Sequence, residues 1–131
     1  MLKKRLVRNS FKFLTKHGFL YSYKHDSYNF FSLMYQKGNV ILMPSFDYID
    51  KRFGVYVKGV KNCMPDMYVN IIDIEIDTSD NRMALKQALS QIILDSKKHT
   101  HGMPHRYFKA IVELYAEFVE KNINDVLERT N

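Results

Sequence analysis

Residues 28–57 read YNFFSLMYQKGNVILMPSFDYIDKRFGVYV, and the alternation within them decides the fold. Tyr28 to Tyr35 is rich in aromatic side chains, which suit a pleated, half-buried surface. Lys37-Gly38-Asn39 is a tight reversal, and Val40 to Phe46 returns beside the first run. Asp47 to Lys51 makes the next turn, before a strand from Phe53 to Val57. Hairpin links this short force antiparallel pairing, so the stretch is a β-meander. Pro44 has no N–H to give a ladder, which predicts an edge strand or a bulge at that point.

Outward from this core, the period of two extends back to a strand over Phe19 to Lys24 and then gives way to a period near 3.6. Leu2, Leu6, Val7, Phe13 and Leu14 share one helical face, predicting a helix over residues 2–17 with Gly18 as its left-handed stop. In the other direction, Gly59, Asn62 and Pro65 mark a loop over 58–65. Met67 to Ile76 alternates, with Tyr68, Ile72, Ile74 and Ile76 on one side and Asp73, Glu75 and Asp77 on the other, which predicts a strand. Thr78, Ser79 and Asp80 are helix caps for a helix over 80–97, and Pro104 opens a helix over 104–128. The latter would be about 37 Å long and bent or frayed at its end. The expected fold is therefore α+β, with an antiparallel meander of four to five strands packed against one N-terminal and two C-terminal helices. Residues 1–131 are expected to form a single domain, as suits a chain of this length.

Charge is distributed unevenly. Lys3, Lys4, Arg5, Arg8, Lys12, Lys16 and Lys24 stand in the first 24 residues without one acidic residue, so the net charge of +6 originates there. The body beyond them is nearly neutral. Lysines at the start of a helix oppose its dipole, so they serve a solvated face or an anionic partner. A single cysteine, Cys63, excludes an internal disulfide and fits a reducing compartment. No apolar run reaches the ~18 residues of a membrane span, and Arg8, Asn9, Ser10 and Lys12 interrupt any secretory h-region. A cytoplasmic location is the expectation.

Three constellations bear on chemistry. His99, His101 and His105 fall within seven residues and would suit Zn²⁺, Cu²⁺ or Ni²⁺, yet their spacing matches no established ligand pattern. Asp73, Glu75 and Asp77 would line one strand face and offer Mg²⁺ oxygens, although a solvated face explains them as well. Tyr21, Tyr23, Tyr28, Phe30, Phe31 and Tyr35, with the basic helix, would suit single-stranded nucleic acid. Nucleophile elbows, phosphate-binding loops and dinucleotide turns do not occur in the sequence. No cofactor is called for, and the chain reads as a binding protein rather than an enzyme.

The segment Phe11-x-Phe-Leu-x-x-x-Gly-Phe19, followed by a strand, paired hairpins and the late strand from Phe53 to Val57, resembles small bacterial immunity proteins of polymorphic toxin systems. The resemblance spans about residues 5–60, on hydrophobic positions that belong to the core, so no functional residue is carried over. It implies a cytoplasmic bacterial protein that blocks a cognate toxin by contact and performs no reaction. Immunity proteins against nucleases tend to be acidic, whereas this chain is basic, which disfavours a nuclease partner and implies one with an acidic surface or one gripped through the aromatic sheet. The residues expected to touch that partner are Lys4, Arg5, Arg8, Lys12, Tyr48, Lys51 and Arg52. The alternatives are a nucleic-acid-binding regulator using the same helix and, third, a small metal-dependent enzyme using the histidine run.

Overall fold

The structure is a computed structural model that describes residues 2–74, 79–98 and 104–130. The meander is present as read. Strands β1 (Leu20–Asp26), β2 (Phe30–Lys37), β3 (Val40–Asp47), β4 (Arg52–Lys58) and β5 (Tyr68–Asn70) form an antiparallel sheet in that order. Helices α1 (Leu2–Ser10), α2 (Ser79–Ser96) and α3 (His105–Glu128) complete an α+β fold. Strict alternation sorts the side chains of β3: Val40, Leu42, Pro44 and Phe46 are buried on one face, while Ile41, Met43, Ser45 and Asp47 lie half-buried on the other.

Helices α1 and α3 pack over the buried face, and α2 packs on α3. The contact is aromatic. Phe108 of α3 meets Phe46 edge-on at 4.8 Å, Tyr115 meets Phe53 at 5.4 Å, and Phe11 reaches Phe53 at 6.4 Å. Ring edges against ring faces are the arrangement the aromatic quadrupole prefers. With no Trp in the chain, phenylalanines and tyrosines supply the volume that locks helices to sheet.

Three expectations need correction. The opening helix is not continuous over 2–17: α1 ends at Ser10, and a tighter 3-10 segment follows over Lys12–His17. Asn9 and Ser10 are weak interior helix formers because their side chains compete for backbone groups. Val7, Phe11 and Leu14 are all fully buried across the break. Gly18 closes the segment at φ 88, with its N–H bonded back toward Leu14 and Thr15.

Pro44 lies on a central strand, not an edge. The β2–β3 ladder pairs Phe30 to Ser32 with Asp47 to Ser45, then resumes only at Tyr35 and Leu42. The missing donor therefore falls on the β2 side, while Pro44 pairs normally with Val55 of β4. The strand expected over Met67–Ile76 is cut to Tyr68–Asn70. The Asn70 side chain accepts the Ile72 N–H at 3.1 Å and turns the chain into a 3-10 segment over Ile71–Asp73. Ile71 and Ile74 are consequently both buried, three residues apart instead of alternating.

The bend expected near the end of α3 falls at Asn122, where φ is −114 and ψ 16. Its side-chain amide donates to the Phe118 carbonyl at 2.8 Å and its carbonyl accepts from Asn81 of α2 at 3.2 Å. A side chain inserted into the helical ladder is a recognised cause of a kink, and here it also ties α2 to α3.

Candidate functional site

The opening cations lie along the solvent side of α1 and the 3-10 segment. Arg5, Arg8, Lys12 and Lys16 are exposed, while Lys3 and Lys4 are half-buried. Of these six, Lys4 alone has a carboxylate partner among the described residues: its ammonium pairs with Asp26 at the end of β1. That hydrogen bond holds the Lys4 pKa above its ordinary value. Lys3 lies over the Phe108 ring at 5.4 Å. The rest form an acid-free ridge.

Arg8 is the best-supported member of the ridge. Its guanidinium carbon lies 4.4 Å from the centre of the Tyr21 ring, and Tyr21 packs at 5.4 Å on Tyr35. Tyr35 is buried, and burial, with a lesser contribution from Tyr21, pushes its phenol up to about 12. A column of two rings thus rises from the core and ends under a charged group at the surface.

A β-bulge makes this possible. Tyr21 pairs with Tyr35 and Asp26 with Phe31, two β2 residues on the same face. Tyr21 and Asp26 are five residues apart, so a regular strand would send them to opposite faces. The register shifts between Tyr21 and Tyr23, inserting one residue. Both α1 partners, the ring for Arg8 and the carboxylate for Lys4, then face the helix.

The remaining expected contacts sit elsewhere. Tyr48 is half-buried, its ring 5.3 Å from Phe46 and 5.8 Å from Phe31. Its electrostatic influence reaches Lys4, where it is the smallest of the causes that raise the Lys4 pKa. Lys51 is exposed in the β3–β4 turn, and Arg52 is exposed at the start of β4. Lys51 occupies the left-handed region at φ 53. Arg52 lies on the face of the sheet opposite α1 and lines a hollow of about 190 Å³ with Phe30, Asp47, Asp50 and Tyr56. The seven residues therefore do not form one patch: Arg5, Arg8 and Lys12 belong to the ridge, Lys4 and Tyr48 to its inner rim, and Lys51 and Arg52 to another surface.

Two exposed side chains stand at turn tips: Tyr28, expected at the start of a strand, and Ile49, for which the sequence suggests no role beyond its turn. Tyr28, 97% exposed, caps the β1–β2 turn, and Ile49, 69% exposed, caps the β3–β4 turn. The turns are joined by the Tyr48 N–H donating to the Asn29 carbonyl at 2.8 Å. Their position between Asp, Ser and Asn residues was the available clue to turn tips.

His99, His101, Glu75 and Asp77 lie outside the described residues. His105 is exposed at the start of α3, and Asp73 is exposed with Lys86 at 3.9 Å. Of the aromatic set considered for nucleic acid, Phe31 and Tyr35 are spent in the core, while Tyr28 and Phe30 are exposed. No helix among the described residues is long and apolar enough to cross a membrane. Comparison with protein-family models, curated proteins and solved structures found no match.

Proposed function

We propose that this protein is a cytoplasmic, non-catalytic binding module of the immunity or inhibitor type, which blocks a cognate bacterial toxin through protein–protein contact. The reading is supported chiefly by one observation: Arg5 and Arg8 of α1 and Lys12 and Lys16 of the 3-10 segment are exposed, and none of the four is neutralised by a carboxylate among the described residues. Unspent charge of one sign on a rigid element steers and orients an oppositely charged partner. Aromatic and apolar side chains at the ordered turn tips, Tyr28 and Ile49, are of the kind that anchor such contacts. The partner is accordingly a toxin domain with an acidic surface.

The test is co-expression with the toxin domain encoded beside this gene. Restored growth, together with a complex that co-purifies and weakens as salt rises, is the result this function requires. A cell killed equally with and without the protein would refute it. The nucleic-acid alternative draws on the same ridge and requires an affinity for oligonucleotide that falls about 0.9 decades per decade of salt for each phosphate neutralised.

A further inference from the structure

We infer that Arg8, braced on Tyr21, is a preformed receptor for a single carboxylate of an acidic protein partner. This deepens the function proposed above and rests on it. The guanidinium sits over the ring at 4.4 Å and has no carboxylate or hydrogen-bond partner among the described residues. Its donors are therefore available to a ligand. The ring beneath it is fixed in turn by Tyr35, a buried residue of β2.

A free arginine side chain loses substantial rotamer freedom when it is captured by a partner. Here much of that ordering is already done by the cation–π contact. Guanidinium is planar and matches a carboxylate through two parallel N–H···O bonds, which a lysine ammonium cannot do. Arg5 and Lys12 flank Arg8 on the ridge with no ring recorded beneath either among the described residues. They would contribute field, and Arg8 would contribute geometry.

An acidic protein suits this ridge better than nucleic acid does. The exposed cations Arg5, Arg8, Lys12 and Lys16 offer only a few phosphate contacts. Strong backbone binding draws on roughly six to ten. A guanidinium pinned at one point favours one well-placed acceptor over a continuous strand of charge.

The experiment titrates the full chain with a hexaglutamate peptide while NMR follows the arginine Nε–H resonances. Arg8 should shift more than Arg5 or Arg52. Arg8→Lys should weaken binding by about tenfold, while Arg5→Lys stays within about twofold. Tyr21→Leu, with its fold checked by circular dichroism, should reproduce the Arg8→Lys loss, Tyr21→Phe should not, and the double variant R8K/Y21L should lose no more than either single variant. Equal losses for Arg5→Lys and Arg8→Lys, or wild-type binding by Tyr21→Leu, would overturn the inference. Tighter binding of an oligothymidylate of equal charge would overturn the choice of partner. If Arg8→Lys still protects co-expressing cells in full, the receptor is refuted and the inhibitor function stands. If no neighbouring toxin is neutralised yet hexaglutamate still prefers Arg8, the function is refuted and the receptor stands.

Discussion

The α1 ridge and the β3–β4 turn carry the same kind of charge in different company. On the ridge, Arg8 rests on an aromatic column and no acidic residue occurs in the surrounding sequence. At the turn, Lys51 and Arg52 stand next to Asp50 and opposite Asp47, so the local charge cancels. Counting positive residues makes the two places look alike. Their neighbours separate them: on the ridge Arg8 is held against a ring and has no carboxylate partner among the described residues, which is what the proposed binding requires. The turn is built for a different purpose, since the Asp47 carboxylate accepts the backbone N–H groups of Ile49 and Asp50 at 2.8 and 3.0 Å and fixes the reversal.

The comparison breaks most readily beneath the ridge. Phe11 is fully buried between Phe13 and Phe53, at the junction of α1 and the 3-10 segment. Phe11→Ala should cost about 3–5 kcal/mol in urea unfolding, because it leaves a cavity under the element that displays the cations. Binding should then fall although no charged residue has changed. A loss below about 1 kcal/mol would mean that α1 is not anchored there.

The turn should respond more mildly. Asp47→Ala removes two accepted hydrogen bonds and should cost about 1–2 kcal/mol, with Asp47→Asn recovering part of it. Arg52→Ala, on an exposed side chain, should stay within about 0.5 kcal/mol. An Arg52 effect as large as that of Asp47 would show that the turn's charges do more than fix its shape.

A subtler probe is alkaline titration. Burial pushes Tyr35 and Tyr115 up to about 12, whereas an unfolded tyrosine ionises near 10. In the native protein both phenols stay protonated where the unfolded chain has lost those protons. Stability is therefore complete below pH ~10 and declines as pH rises toward 12. Lys4, raised by Asp26, adds a contribution of the same sign, lost as pH climbs through its own raised pKa. Ultraviolet titration should find Tyr35 and Tyr115 ionising late. All nine ionising together near pH 10 would contradict the packing of the ring column.

Much of the fold was legible because hydrophobic period tracks element type. The meander, the three helices and the stop at Gly18 all follow from local chemistry. What escaped depends on contacts distant in sequence. Pro44 is central because the ladder can omit its donor on one side while β4 pairs on the other. The 3-10 segment after β5 exists because the Asn70 side chain outcompetes the ladder for one N–H. The site was legible as charge but not as geometry. A period-two reading sends Tyr21 and Asp26 to opposite faces, and only the inserted residue between Tyr21 and Tyr23 turns both toward α1. Tyr48, expected as a partner contact, has its ring packed against Phe31 and Phe46.

The most direct test sets the two surfaces against each other in cells carrying the neighbouring toxin. A ridge variant, R5E/R8E/K12E, and a turn variant, R52E, would be compared with the wild type for growth, with folding of each verified by circular dichroism. Protection should vanish for the ridge variant and persist for the turn variant. Full protection by a folded ridge variant, or its loss in R52E alone, would contradict the assignment of binding to α1.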